Sequence, residues 1–192
     1  MANIIKAINF GYAKENLLRD TARMAAIESV KFFKESFRNG GFTDTSLAKW
    51  QDRKSPLGGK KTMYGTGTLM QSIQKTEETT KRVVVSSDTP YSEIHNNGGT
   101  ITVTAQMKKW WWWQYSIFAG KPRKMGKNGK QANTSSNRKL NVKAEYCKRM
   151  ALMKVGSKIK IPQRRFMGES QTLMNELDQK LQAKIAEYWE KA

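Results

Sequence analysis

Lys14–Arg38 reads KENLLRDTARMAAIESVKFFKESFR, and its periodicity governs how the rest of the chain is read. On a helical wheel, Phe32, Ala25, Leu18, Ser29, Ala22, Phe33, Ala26, Phe37 and Val30 share an arc of about 160°. Lys34, Asp20, Arg38, Lys31, Glu35 and Glu28 fill most of the other side, with Leu17, Met24 and Ile27 as exceptions. This pattern predicts an amphipathic helix laid on a core and stopped by Gly40-Gly41. Ser170–Lys191 predicts a second such helix, because Leu177, Tyr188, Leu181, Met174, Ile185 and Trp189 fall within about 120°. Glu176–Lys180 and Glu187–Lys191 have the spacing of exposed ion pairs worth about 0.3–0.5 kcal/mol each.

Between these helices the signals are those of short strands. Lys81–Ser86 carries a β-branched run, Thr100–Thr104 alternates, and Lys158–Ile161 stops at Pro162. Residues 42–65, with Trp50 and the Pro56-Leu-Gly-Gly59 break, read as irregular. Thr66 stands as the N-cap of a short turn with Leu69 and Ile73 on one face. Thr89 and Pro90 stand as N-cap and first residue of a helix carrying Tyr91, Ile94 and His95 on one face. The resulting class is α+β: a mainly antiparallel sheet packed against N- and C-terminal amphipathic helices. One domain spans 1–192, with an insertion at about 106–157.

The charge belongs to that insertion. Of 35 Lys and Arg against 16 Asp and Glu, residues 106–165 hold 17 basic side chains and one acid, Glu145, a net of +16. The other 132 residues hold 18 basic and 15 acidic side chains, a net of +3. One cysteine, Cys147, excludes an internal disulfide, and one histidine, His95, leaves no Cys/His cluster for zinc. The N-terminus lacks a signal-peptide apolar stretch, and no run of about 18 apolar residues predicts a membrane span. His95 has no nucleophile-elbow, paired-carboxylate or phosphate-loop motif near it, so the expectation is no enzyme, no metal and no cofactor. Its simplest role is a helix-face histidine with a local hydrogen bond beside Gly98.

Three segments, Thr66-Gly-Thr-Leu-Met-Gln-Ser-Ile73, Tyr91-Ser-Glu-Ile-His-Asn-Asn-Gly-Gly99 and Ile161-Pro-Gln-Arg-Arg-Phe-Met-Gly168, resemble the phage virion-morphogenesis (tail-completion) family. Its members read TG-x-L-x-x-SI, then YA-x-IH-x-x-G, then IP-x-R-x-F. The matching positions are Thr66, Gly67, Leu69, Ser72, Ile73, Tyr91, Ile94, His95, Gly98, Gly99, Ile161, Pro162, Arg164 and Phe166. Ser92 replaces a usual alanine, and Arg165 stands where proline is common. The resemblance covers roughly residues 12–105 and 157–190. It implies a non-enzymatic neck component that forms a ring, caps the tail tube and helps join it to the head. Its partners would be copies of itself, the tail tube and head-neck proteins, without a membrane. It would be found in the host cytoplasm during assembly and then in the virion. In this reading Pro162 ends the strand, Phe166 anchors the chain, and Arg164 forks onto a carboxylate.

The insertion opens on Lys108-Lys-Trp-Trp-Trp-Trp-Gln-Tyr115. Read as a strand, Trp110 and Trp112 face one side and Trp111 and Trp113 the other. With Tyr115 they are candidates for a subunit or partner interface, with monomer core and base stacking as alternatives. Residues 121–138, rich in Gly, Lys, Asn and Ser, predict a segment that is mobile when unbound. Lys121, Arg123, Lys124, Lys127, Lys130, Arg138 and Lys139 are solvated charge or candidates for contact with DNA or an acidic partner. Asn141–Lys154 predicts a helix with Val142, Tyr146, Met150 and Met153 on one face. The second reading of the whole chain is therefore a nucleic-acid-binding protein that uses the basic 106–165 segment, with non-specific phosphate contact.

Overall fold

A computed structural model describes residues 10–58 and 61–190. The chain is α+β. Helix α1 (Phe10–Asn39) leads into β1 (Gly41–Thr43) and β2 (Leu47–Lys49). Next come α2 (Thr68–Gln71), β3 (Ile73–Glu78), β4 (Val83–Ser87), α3 (Ser92–Asn97) and β5 (Gly99–Thr102). Two long helices, α4 (Ala105–Gly120) and α5 (Ser135–Leu152), precede β6 (Lys158–Ile161) and α6 (Gln171–Glu190).

Among the described residues all pairing is antiparallel, but the strands form three separate two-stranded ladders, β1–β2, β3–β4 and β5–β6, rather than one sheet. The predicted Val83 strand finds its partner in Ile73–Glu78, whose polar sequence carries no alternating signal. Two three-residue strands also lie in the stretch read as irregular.

The core gathers where the last half of α1 meets these ladders. Phe33, Phe37, Phe42, Leu69, Ile73, Phe166 and Leu173 form one buried cluster, with Trp50, Val85 and Leu177 packed against it. The Phe37 ring lies 5.2 Å from Phe166 and 5.4 Å from Trp50. Gly40, at φ +68°, takes the left-handed turn that ends α1.

Helix α6 lies along α1 rather than over the strands. Ser170 caps it, accepting from Leu173 N at 3.2 Å while donating to Thr43 O at 2.9 Å. Tyr188 donates to Asp20 at 2.7 Å, and Lys180 pairs with Glu28 at 2.5 Å instead of with Glu176. Glu187 pairs with Lys184, and Lys191 lies outside the described residues. A helix seated on another helix buries a narrower stripe than one seated on a sheet. Leu173 is therefore buried and Leu177, Leu181 and Ile185 half-buried, while Met174 and Trp189 are exposed. On α1 the same limit leaves Phe33 buried, Ala25 half-buried and Leu18 exposed.

Helices α4 and α5 pack on each other as a hairpin, and the β5–β6 ladder clasps its base, from Gly99↔Ile161 to Thr102↔Lys158. Val103 is buried just above, its N–H donating to Ser157 O at 2.8 Å. The tryptophan run is thus helical, correcting the strand reading. Thr104 supplies the reason: its hydroxyl accepts from Met107 N at 3.1 Å and caps a segment rich in good helix formers.

Candidate functional site: a motif junction and a basic helical hairpin

The three family-like segments meet at one junction. Leu69 and Ile73, from the first, enter the core beside Phe166, from the third. His95 O, in the second, accepts from Arg164 N at 2.8 Å. Asn96 Oδ1 accepts from both Phe166 N (2.9 Å) and Met167 N (3.0 Å), tying α3 to the extended chain before α6. Trp50 donates to Arg165 O at 2.7 Å from the opposite side.

The remaining motif positions serve this geometry. Gly67 begins α2 at φ +84°, so it and not Thr66 occupies the cap; the Thr66 hydroxyl bonds that of Thr68 at 2.7 Å. Ser72 reaches Ser87 at 2.6 Å across the β3–β4 ladder. Helix α3 starts at Ser92, two residues later than predicted, with Thr89 O accepting from Ser92 N at 3.0 Å. Tyr91 meets the His95 ring edge-on at 6.0 Å. Gly98, at φ +73°, brings the backbone so close to Gln163 that an added Cβ would lie 2.8 Å from its nitrogen. Gly99 and Ile161 pair in the β5–β6 ladder, Ile94 packs near Gly99, and Pro162 follows half-buried.

Arg164 is only 7% exposed. Its Nε donates to Gln51 O at 3.1 Å, and among the described residues no ion pair joins it to a carboxylate, contrary to the predicted fork. Burial lowers its pKa, opposed by the charge of Asp52. Among the described residues buried His95 Nδ1 has no hydrogen-bond partner, so the expected local side-chain bond is not made. Burial, and then the positive charge of Arg164, hold the imidazole pKa below its ordinary value and favour the neutral ring. Among the described residues no group of three or more His, Cys, Asp or Glu is placed to hold a metal.

The hairpin is the second feature. Trp111 faces inward, 5.6 Å from Tyr146 and edge-on to Trp110. Trp113, Trp110 and Trp112 are 56%, 46% and 42% exposed, with Tyr115 half-buried against Trp112 at 5.7 Å. Helix α5 begins six residues before the predicted start, capped by Thr134. Its buried face is Asn137, Ala144, Cys147 and Ala151, not the predicted row; Val142 of that row is exposed. Small side chains let α4 approach closely, and small residues carry little hydrophobic signal.

The connecting turn is folded. Buried Asn137 accepts from Lys124 N and donates to Lys124 O (2.8 Å) and Ala132 O (2.7 Å), and Met125 and Gln131 form a bridge. Arg123 is half-buried, bound to Phe118 O and Asn141, so its role is to staple the turn. Lys121, Lys124, Lys127, Lys130, Arg138 and Lys139 are exposed. Among the described residues, none of the ion pairs involves a side chain of this hairpin. Asn96 and Asn137, which hold the junction and the turn, were not singled out in the sequence; each looks like any other polar residue there.

Compared with known protein families, characterised proteins and solved structures, the chain has no match.

Proposed function

We propose that this chain is a structural virion assembly protein of a phage or prophage, a tail-completion or neck component that caps the tail tube and helps join it to the head. The observation that carries the reading is the convergence of the three family-like segments on one junction around Arg164 and Phe166. Segments that meet as one packed unit have a structural reason to occur together, which three unrelated coincidences would lack.

The work is association, and the exposed face of α4 supports that mode. Three large indoles held in water are costly unless a partner covers them, and Trp is a preferred hot-spot residue. Two hairpins of like charge repel when face to face, so the favoured contact sets the tryptophans of one copy on the near-neutral body of the next. Such a head-to-tail contact makes a ring when the rotation from copy to copy closes, which is the assembly this reading requires. No cofactor enters this reading.

Sedimentation velocity beside thermal melts tests it, with tail reconstitution in place of sedimentation where the isolated chain stays monomeric. Trp110→Ala/Trp112→Ala/Trp113→Ala is expected to lose association, or tail completion, while its melting temperature stays within a few degrees. A triple variant that assembles or completes tails normally refutes the interface. Wild-type protein that neither self-associates nor completes tails refutes the function.

A further inference from the structure

Beside the first turns of α5 lies a cleft of about 670 Å³ whose other wall is the loop at residues 53–58. Arg138, Lys139 and Lys143 face it from the helix and Arg53 from the loop, with Pro56 and Val142 between them. Among the described residues no acidic and no aromatic side chain lines it. We infer that this cleft is a binding site for the phosphate backbone of duplex DNA, engaged without reading base sequence.

Three observations carry the inference. The cations come from two parts of the chain remote in sequence, α5 and the loop where Arg53 also donates to Gly58 O at 3.3 Å, and among the described residues no carboxylate lines the cleft. Such an arrangement raises the local positive potential and favours a polyanion. Recognition of unpaired strands rests on aromatic platforms for the bases, and this cleft offers none; the tryptophans sit on α4. That leaves phosphates as the chemistry being met, and duplex DNA presents them most densely, about one charge per 1.7 Å of axis. Finally, the turn bearing Lys124, Lys127 and Lys130 is bound through Asn137 to the start of α5, extending the cationic surface past the cleft. Arg138, Lys139 and Lys143 stand on α5, so the backbone that carries these three charges is fixed before contact.

The inference is independent of the virion reading: DNA binding by the isolated chain is measured separately from its assembly. Fluorescence anisotropy with a labelled mixed-sequence duplex of about 20 base pairs, titrated across a series of salt concentrations, tests it. Wild-type affinity is expected to fall steeply with salt. Arg138→Ala/Lys139→Ala/Lys143→Ala is expected to weaken binding about tenfold or more at low salt. It should also make the log–log salt slope shallower by roughly 2–3, since each phosphate contact contributes about 0.9. Arg19→Ala/Arg23→Ala/Lys31→Ala removes the same charge from α1 and is expected to leave the slope unchanged. If the cleft variant melts early, Lys139→Glu, at an exposed position, reports on the same slope. Equal losses in the cleft and α1 variants overturn the site. Polyglutamate that competes as well as the duplex points to an acidic protein instead, and a single strand that binds more tightly points to the tryptophans; either result also overturns it.

Discussion

Asn96→Ala is the most informative single change to the body of the protein. The Asn96 amide oxygen accepts from two backbone donors, Phe166 N at 2.9 Å and Met167 N at 3.0 Å. Phe166 is 0% exposed and packs on Phe37, so water has little access to its N–H. An unsatisfied buried donor costs about 1–3 kcal/mol, and with Met167 only half-buried the pair sums to about 2–4 kcal/mol. At a urea m-value of about 2 kcal/mol/M, the unfolding midpoint should fall by about 1–2 M. Asn96→Asp keeps both acceptor contacts and adds a negative charge near Arg164. It loses only the Nδ2 donation to exposed Asn97, so it should stay within about 1 kcal/mol of wild type. Urea titration followed by far-UV circular dichroism measures both variants. An alanine variant as stable as wild type, or an aspartate variant as weak as the alanine one, would refute the claim that these two bonds hold the junction together.

Two further predictions concern the same region. Because the folded protein holds His95 neutral below its ordinary pKa, the unfolded chain binds the extra proton; stability is complete above about pH 6.5 and declines as pH falls below it. His95→Gln should flatten that part of the profile in urea midpoints taken from pH 7.5 to 5, and an unchanged profile in the variant would assign the decline to other groups. Gly98→Ala and Gly156→Ala both place a side chain at positive φ, costing about 1–3 kcal/mol, but only the first also drives a Cβ against Gln163. Gly98→Ala should therefore be the less stable of the two in the same titration, and equal losses would mean that the close approach of the Gly98 and Gln163 backbones contributes nothing.

What the sequence determined by itself is the set of elements with a strong local signal. The 3.6-residue period of Phe33, Ala26 and Phe37 specifies α1, and that of Leu177, Leu181 and Ile185 specifies α6, because periodicity is written in single residues and survives without knowledge of partners. Val83–Val85 and the Lys158–Ile161 alternation announce strands for the same reason. The confinement of charge to 106–165 was equally plain. Tertiary structure alone decided the rest. Ile73–Glu78 becomes a strand because Val83–Ser87 pairs with it across a ladder, not through its own propensity. Trp110–Trp113 has residues at home in strands, yet the Thr104 cap and the small face of α5 make it helical. The buried stripe Ala144, Cys147 and Ala151 escaped notice because close helix approach rewards small side chains, which hydrophobicity barely registers. Asn96 and Asn137 acquire their roles only when chain segments remote or neighbouring in sequence present orphan backbone groups to them, a condition that no local pattern can encode. The cleft beside α5 has the same origin: Arg53 and Arg138 are brought to one surface by folding, and long-range proximity is a property of the packed chain rather than of its residues in order.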